Sequence, residues 1–346
     1  MSRYVIINID SLNARLHASI GHRYARFVGR GTTALYIAFR SLALINGPGE
    51  IILPDLICST VLDAVLLAGH MPVFADVLPG RWTIDPVDVR RKISERTRAV
   101  LVAHLFGHVA DVPRDMFADL GVPIIEDAIQ GLGGTVGQIG AITTVIGFAE
   151  NKMIGGRGGI LLTDNPTLWD VISQISISEL PVDLPTSVQR HNDRLHTYRQ
   201  QLQSAVPDLL CSFDESTKNI AQIEADWQNL AKNVQIRNVN ARYLSDCLAN
   251  TTLQLSAIRP GDAIWRFTFT APTVLAANWI VRHLQRAGLP GSRLYPSLSN
   301  IFTPGTALTC TLVAPRLINL WVDPTMDRAT LDRVLAIVRN APGVTA

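Results

Sequence analysis

The amino-acid sequence predicts an α/β protein with a mostly parallel central sheet flanked by helices, plus a smaller α+β C-terminal domain. Three observations lead to this prediction. Short, nearly all-apolar segments alternate with helical patterns through the first half of the chain, and such segments are typical of parallel strands covered on both faces. The alternation stops beyond Asp164. The length of 346 residues suggests about two domains.

The first half of the chain carries the alternating pattern. Residues 31–45 begin with Gly and Thr and end at an Asn-Gly-Pro-Gly turn, which predicts a helix between those signals. Residues 1–30 are interpreted as an arm or edge element. Further helices are expected at residues 60–67, 86–93 and 113–120, and strands at residues 50–53, 72–77, 99–105, 123–126, 143–148 and 159–163.

The second half has longer helical patterns and fewer strands. Residues 180–200 are polar and lack periodicity, which indicates a loop or crossover. Helices are expected at residues 166–177, 216–249, 274–287 and 328–339, and extended segments at residues 263–269, 288–295 and 317–322. We therefore predict a large domain over residues 1–185, arm included. Residues 186–346 are predicted to form the crossover, a long helix and the small domain.

The composition indicates a compact globular protein, with 47% hydrophobic and 17% charged residues. The net charge of +2 comes from acids and bases mixed along the chain, which argues against a nucleic-acid partner. The four cysteines are far apart and lack metal-ligand spacing, so we expect reduced thiols, no metal site and a cytoplasmic location. Neither a signal-peptide core nor a membrane span is expected from the apolar runs.

Lys152 is the most unusual titratable residue of the sequence. It lies between the apolar segment 143–148 and a Gly-rich turn, whereas the other three lysines lie among polar neighbours in helical patterns. Burial disfavours the charged form of a lysine, and a neutral amine can form a Schiff base with a carbonyl. The alternative is a lysine that caps a turn and points to solvent.

Three features upstream of Lys152 complete a chemical set. Gly31 and Thr32 at a helix start offer an anion site, unless they are an ordinary cap. Asp127 and Gln130 follow a strand at the carboxyl edge of the sheet, where ligands bind. A carboxylate there can keep a ring nitrogen protonated, although it can also be a helix N-cap. In this order the residues provide a phosphate anchor, a ring-nitrogen partner, a group near the ring hydroxyl and an amine, as pyridoxal phosphate requires.

Several motifs in residues 30–165 resemble those of a known family, the fold-type I pyridoxal-phosphate aminotransferases of the DegT sugar aminotransferase group. The resemblance is carried by Gly31-Thr32-Thr33-Ala34-Leu35, His104-Leu105-Phe106-Gly107, Glu126-Asp127-Ala128-Ile129-Gln130 and Lys152 with Gly158-Gly159. It is fainter beyond about residue 220.

The resemblance implies a role for each residue of the set. Lys152 would hold pyridoxal 5'-phosphate as an internal aldimine and later move a proton, Asp127 would pair with the pyridine nitrogen, and Gln130 would lie near the ring. The amides of Gly31 and Thr32 would bind the phosphate. The protein would be an aminotransferase that moves an amino group from an amino acid donor to a keto or aldehyde group of a sugar or other biosynthetic intermediate. The resemblance also implies a homodimer with its sites at the interface.

A few positions depart from the family pattern. Gly147-Phe148-Ala149 stands where Ser-Phe-His is usual, so a side-chain contact to the phosphate is missing. Cys58 replaces an aromatic residue that often stacks on the ring, and Arg157 replaces an acidic residue. No clear counterpart of the family's Gly-Tyr-Asn segment is found. Gly147 and Cys58 are still expected to line the cofactor site.

The substrate is the least defined part of the sequence-based interpretation. Arg157, Arg266 and Arg293 are candidates for binding a carboxylate, because a guanidinium group matches its geometry, and Tyr295 is a further candidate. Each arginine has a structural or surface role as its alternative. Two other functions stay open: a pyridoxal-phosphate enzyme of another reaction type, namely elimination, decarboxylation or carbon–carbon bond formation, and a non-catalytic protein of the same fold.

Overall fold

The computed structural model describes residues 22–114, 116–177, 210–302 and 308–345. Most of the predicted N-terminal arm, the crossover at residues 180–200 and the predicted domain boundary after residue 185 lie outside these residues.

A sheet of seven strands forms the centre of the first part of the chain. The strands are β1 (Tyr24–Val28), β2 (Glu50–Pro54), β3 (Met71–Ala75), β4 (Thr97–Ala103), β5 (Ile124–Asp127), β6 (Thr143–Phe148) and β7 (Gly158–Thr163). Their order across the sheet is β1-β7-β6-β5-β4-β2-β3. Strands β2 to β6 are parallel to one another, which confirms the mostly parallel sheet.

The strand β7 runs antiparallel to both β6 and β1. The register pairs Phe148 with Gly158, so the segment between the two strands closes a hairpin. It is too short for the crossover of a dozen or more residues that parallel pairing requires. Extending the parallel pattern to this strand is therefore wrong. Strand β1 lies at one edge of the sheet, within residues 1–30, which the sequence predicts as an arm or edge element.

Helices cover both faces of the large sheet. The helices α1 (Gly31–Asn46), α2 (Ser59–Leu67) and α4 (Pro166–Gln174) share one apolar core with one face of the strands. On the other face, Val89 of α3 (Pro86–Lys92) packs against Ile52, Val100 and Val102. The helix expected at residues 113–120 is wrong. Among its described residues only a 3-10 turn forms, over Ala118–Leu120. It is bounded by Phe117, whose backbone is non-helical with φ −113° and ψ 8°, and by Gly121 in the left-handed conformation.

The second part of the chain contains an antiparallel sheet of four strands, in the order β10-β11-β9-β8. The strands are β8 (Gln254–Leu255), β9 (Arg266–Thr270), β10 (Gly291–Ser292) and β11 (Leu317–Trp321). The helices of this part are α5 (Thr217–Gln228), α6 (Leu230–Leu248), α7 (Val274–Arg286), α8 (Ser299–Phe302), α9 (Leu308–Val313) and α10 (Arg328–Arg339). Within the described ranges, none of the helices is both long and apolar enough to cross a membrane.

The long helix expected at residues 216–249 is two helices, separated at Asn229. Its backbone has φ −94° and ψ 1°, and its side-chain Nδ2 donates a 2.8 Å hydrogen bond to the carbonyl of Ala225. An Asn side chain that bonds to nearby backbone in this way competes with a continuous helix. Asn229 therefore ends α5 and begins α6.

The two sheets are joined at the end of β4. The backbone N–H groups of Ala263 and Trp265 donate to the carbonyls of Gly107 and Phe106, at 3.0 and 2.8 Å. Gly107 has φ 91°, and a Cβ there would lie 1.9 Å from the carbonyl oxygen of Ala263, so only glycine permits this approach. The contact places the start of β9 beside the carboxyl edge of the large sheet.

Candidate active site

The loop between β6 and β7 carries Lys152. Lys152 N–H donates to the carbonyl of Ala149 at 2.8 Å, which closes a tight turn. The N–H of Gly155 donates to Asp226 Oδ2 and that of Arg157 to Asn219 Oδ1, both at 2.7 Å. Because Asp226 and Asn219 belong to α5, the second part of the chain holds the loop in shape.

The side chain of Lys152 lies against Trp265. Its Nζ is 4.0 Å from the ring centroid, and Trp265 Nε1 donates to the carbonyl of Asn151 at 2.6 Å. Burial lowers the pKa of Lys152 to about 8, and the charge of Arg266 lowers it further, while Cys58 and Asp127 oppose the shift. The poorly solvated lysine expected from the sequence is therefore present, and it is half-buried rather than turned freely to solvent.

Asp127 ends strand β5 and is buried. Its Oδ1 accepts a 3.0 Å hydrogen bond from the N–H of Ile129, as a capping aspartate does. Among the described residues, Oδ2 has no hydrogen-bond partner. Burial raises the pKa of Asp127, and the Ile129 N–H and Lys152 only partly offset this effect. Asp127 therefore uses one carboxylate oxygen for its local capping bond and has the other free to bind a ligand. A cation placed near this carboxylate would favour its ionised form.

Gln130 links the two parts of the chain. Its Oε1 accepts a 2.8 Å hydrogen bond from the N–H of Phe106, and its Nε2 donates to Tyr295 Oη at 3.0 Å. Tyr295 is buried, and burial raises its pKa well above the ordinary value. The structure thus brings two predicted site residues, Gln130 and Tyr295, into direct contact.

His104 is a site residue to which sequence reasoning assigned no role. Its Nδ1 accepts from the N–H of Ala110 at 3.0 Å, so the ring proton lies on Nε2, which is 2.9 Å from Glu126 Oε1. Burial would raise the pKa of Glu126, but bonds from His104, Thr144 and Gly137 outweigh it and lower the pKa. With both ring nitrogens engaged, His104 offers a ring face rather than an acid or base. The only sequence feature that pointed to His104 was its place in the His104-Leu105-Phe106-Gly107 motif.

A small recess lies at the carboxyl edge of the large sheet and is lined by four of these residues. It is bordered by Cys58, His104, Asp127 and Gln130, among apolar neighbours from β4 and α2. Cys58 is half-buried at the start of α2, with its Sγ 3.3 Å from Thr60 Oγ1. The recess therefore presents a carboxylate, an amide, an imidazole ring and a thiol.

The N-terminus of α1 packs closely against β6 and β7. A Cβ on Gly31 would lie 2.5 Å from Ile129 Cδ1, and one on Gly159 would lie 2.6 Å from the carbonyl carbon of Arg30. Gly147 is also in this contact, 3.5 Å from the Gly31 Cβ position. The first hydrogen bond of the helix is made by Ala34 N–H to Arg30. The amides of Gly31 and Thr32 precede it and thus have no partner within the helix.

These groups fit the cofactor that the sequence predicts. The start of α1 offers amides suited to a phosphate, Asp127 Oδ2 is an acceptor for a ring nitrogen, and Lys152 is a weakly basic amine. A Cβ at Gly31, Gly147 or Gly159 would crowd Ile129 or the backbone of Arg30 and Gly31, so glycine at these positions lets the start of α1 approach β6 and β7 closely.

A larger cleft of about 960 Å³ lies next to Lys152. Its walls come from the Lys152 loop, from α5 and α6, and from the small sheet. Of the predicted substrate residues, Arg157 is exposed at this cleft and Arg266 is buried in its wall. Arg293 is not among the lining residues, and its Nη2 donates instead to the carbonyl of Pro315 at 2.7 Å.

Curated relatives match parts of the chain. GDP-perosamine synthase of Escherichia coli O157:H7 is 30% identical over 155 residues, which are 43% of this chain and 42% of that protein. UDP-2-acetamido-2-deoxy-3-oxo-D-glucuronate aminotransferase of Pseudomonas aeruginosa is 31% identical over 177 residues, 49% of each chain. The chain thus spans about half the length of the curated relatives it matches.

Solved structures share the whole fold. NtdA from Bacillus subtilis with bound cofactor PMP has a TM-score of 0.76 at 22% identity, covering 95% of this chain and 75% of that chain. DesV from S. venezuelae, in complex with a ketimine intermediate, has a TM-score of 0.75 at 23% identity, covering 96% of this chain and 88% of that chain. This likeness confirms the fold-type I architecture.

The remaining comparison is with sequence models of whole families. The model of the DegT/DnrJ/EryC1/StrS aminotransferase family matches residues 7–339. That span includes the large sheet, the Lys152 loop and the small sheet described above. This chain therefore belongs to the DegT/DnrJ/EryC1/StrS aminotransferase family.

Proposed function

We propose that this protein is a pyridoxal-phosphate-dependent aminotransferase that transfers an amino group from an amino acid to a keto sugar. The observation that carries the proposal is the grouping of Asp127, Gln130 and Lys152 at one edge of the sheet, with the pKa of Lys152 lowered to about 8. Family membership supports the same reaction. A poorly solvated amine with a lowered pKa suits nucleophilic and proton-transfer chemistry.

Each residue of the site has a distinct role in binding the cofactor. The amides of Gly31 and Thr32 bind the phosphate, and the backbone of Gly147 lies beside them. Asp127 Oδ2 pairs with the ring nitrogen and keeps it protonated. Gln130 lies at the ring edge with Tyr295, and the Cys58 and His104 side chains form the walls of the recess. When bound, pyridoxal phosphate supplies an electron sink that stabilises negative charge at the substrate carbon.

Lys152 would hold the cofactor through its amine, and its Nζ, with a pKa lowered to about 8, would accept and return the proton that the transfer requires. Trp265 supports this role because its ring lies beneath Nζ and its N–H bonds to the backbone of the same loop. Trp265 therefore restrains the Lys152 side chain at the edge of the cleft.

The acceptor is proposed from the relatives and from the cleft beside Lys152. Relatives are named for reactions on sugars that carry a keto group, including 3-oxo-glucose-6-phosphate:glutamate aminotransferase of Bacillus subtilis. The cleft is lined mainly by polar and charged side chains, which suits a hydroxylated substrate. We propose that Arg157, Arg266 and Tyr295 contact substrate. No described contact links Arg293 to this cleft, so its predicted role lacks that support.

The test is a spectroscopic and labelling experiment on the purified protein. We expect visible absorbance after addition of pyridoxal phosphate, and its loss on addition of glutamate as the amino group is transferred. The variant Lys152→Ala should lose both signals, whereas Lys232→Ala, a lysine of α6 outside the cleft lining, should keep both. Transfer of ¹⁵N from glutamate to a keto sugar would establish the acceptor class. Retention of absorbance and turnover by Lys152→Ala would disprove the proposal.

We further propose that the protein is a cytoplasmic homodimer with a large domain over residues 1–185 and a second part over residues 186–346. The four cysteines are free thiols, which is compatible with a reducing compartment. The two separate sheets support the division of the chain. Light scattering of the full chain tests the oligomeric state, and a monomeric mass at working concentration would contradict the dimer.

A further inference from the structure

Asp55 is a buried carboxylate that lies outside the lining of the recess. It directly follows Pro54, the last residue of β2, and 0% of its surface is exposed. Its Oδ2 accepts a 2.5 Å hydrogen bond from Ser297 Oγ, and its Oδ1 accepts from the backbone N–H of Ser299. Burial raises the pKa of Asp55, and these bonds only partly offset the effect. Keeping a carboxylate buried is costly, so the segment that it binds is of interest.

The segment that Asp55 binds carries Tyr295. Residues 293–298, between β10 and α8, form no helix or strand and make a single bridge, which pairs Ser297 with the residue after Asp55. The carbonyl of Asp55 also accepts from the N–H of Leu298 at 3.1 Å. The side chain and backbone of Asp55 therefore fix three consecutive residues, the first of them two positions after Tyr295.

The side chain of Tyr295 connects this segment to the recess. Gln130 Nε2 donates to Tyr295 Oη at 3.0 Å, and the Tyr295 ring is stacked on Phe106 with a centroid distance of 5.8 Å. The N–H of Phe106 in turn donates to Gln130 Oε1 at 2.8 Å. One end of the Gln130 amide is thus held by Phe106 and the other by Tyr295, so its orientation at the recess depends on where Tyr295 lies.

Building on the proposed function, we propose that Asp55 is a positioning residue that keeps Tyr295 against Gln130 at the edge of the recess. The backbone before Tyr295 is fixed separately, because Asn319 Nδ2 donates to the carbonyl of Leu294 at 2.7 Å. Loss of Asp55 loosens the part of the segment that follows Tyr295. A small displacement of groups that contact cofactor or substrate is enough to impair a site.

Fluorine NMR of the full-length protein labelled with 3-fluorotyrosine reports on Tyr295 without turnover. The chain has six tyrosines, and the signal that Tyr295→Phe removes belongs to Tyr295. We expect Asp55→Ala to shift or broaden this signal. Asp55→Asn should keep it near its original position, because an amide can accept from Ser299 and donate to Ser297. The control Asp85→Ala removes the N-cap of α3 and should leave the signal unchanged.

The affinity for pyridoxal phosphate shows whether the position of Tyr295 matters to the site. Asp55→Ala should weaken binding by about tenfold, because the edge of the recess is displaced. In a Tyr295→Phe background the same substitution should weaken binding by less than about twofold, because the hydroxyl through which Asp55 acts is absent. An equal loss in both backgrounds would show that Asp55 acts by general destabilisation and would overturn the proposal.

Ser297→Ala provides a further test in case Asp55→Ala does not fold. It keeps the carboxylate and removes one of its two donors, so the fluorine signal of Tyr295 should shift by a smaller amount. An unchanged Tyr295 signal in every folded variant among Asp55→Ala and Ser297→Ala would also overturn the proposal.

The outcome for the aminotransferase function is measured separately. If the original protein gives no visible absorbance with pyridoxal phosphate, the proposed function fails, and the fluorine signal still decides whether Asp55 positions Tyr295. If the protein absorbs and reacts with glutamate while the Tyr295 signal is the same in all variants, the function stands and the positioning role is rejected.

Discussion

At the scale of single residues, the chemistry depends on the surroundings of Lys152. The ammonium form loses solvation against the ring of Trp265, and Arg266 adds repulsion, while Asp127 favours the charge. Since burial outweighs the attraction, the neutral amine becomes accessible about two pH units below the ordinary value for lysine.

This shift predicts the pH dependence of cofactor attachment. Below pH 8 the neutral fraction of Lys152 falls about tenfold per pH unit, so the rate at which cofactor-free protein reacts with pyridoxal phosphate should rise with pH and level off above about 8. Stopped-flow absorbance measures this rate. The control is Nα-acetyl-lysine, whose rate should keep rising to about pH 10. A protein profile with the same midpoint as the control would contradict the prediction.

At the scale of structural elements, the close packing of α1 on β6 and β7 positions the amides of Gly31 and Thr32, which we propose bind the phosphate. A Cβ on Gly159 would lie 2.6 Å from the carbonyl carbon of Arg30 and 2.7 Å from the N of Gly31. Both atoms are backbone, so the clash is relieved only by moving the helix start.

We therefore expect Gly159→Ala to weaken pyridoxal phosphate binding strongly and to lower the free energy of unfolding by about 1–3 kcal/mol. Spectroscopic titration and urea unfolding measure the two effects. The control is Gly121→Ala, at a turn with φ 65° and no neighbour within 4 Å of its Cβ position. It should cost about 1 kcal/mol through backbone strain and leave cofactor affinity intact. Normal affinity in Gly159→Ala would show that the helix start does not bind the phosphate.

At the scale of the whole molecule, a buried ion pair connects the two parts of the chain. Asp262 accepts from Arg81 Nη1 at 2.6 Å, from Arg81 Nη2 at 3.0 Å and from the N–H of Val109 at 2.8 Å. Burial would raise its pKa, but bonds from His108, Arg81 and backbone N–H groups outweigh it and hold the pKa well below the ordinary value. This network lies next to the contact of Gly107 with Ala263, so it stabilises the arrangement that brings β9 to the site.

The variant Asp262→Asn should lower the free energy of unfolding by about 3–5 kcal/mol, because Arg81 would stay buried without its anion. Thermal or urea unfolding at pH 7 measures this loss. Because the folded pKa is depressed, the stabilisation is complete above about pH 4 and disappears as the pH falls further. The control Asp119→Asn removes an exposed pair with Arg90 and should cost less than about 1 kcal/mol. Equal losses in the two variants would refute a special role for Asp262.

The positions that sequence reasoning identified share a local signal. Asp127 is the last residue of the buried strand β5, and Gln130 and Lys152 lie a short turn beyond the ends of β5 and β6. The carboxyl ends of neighbouring parallel strands meet at one edge of a sheet. The end of a strand can be recognised in the sequence as the end of a short apolar run, so these positions could be predicted before the fold was known. His104 also follows a buried strand, yet no local sequence pattern distinguishes a histidine whose ring lines a recess.

The sequence by itself determined the class of sheet and the strand-end residues of the site, because both depend on periodicity over short windows. Only the tertiary structure decided which residues of the second part meet them. Trp265 bonds to Asn151 across 114 positions, and Tyr295 bonds to Gln130 across 165. Such contacts depend on how helices and sheets pack after they form, and no local pattern encodes their partners.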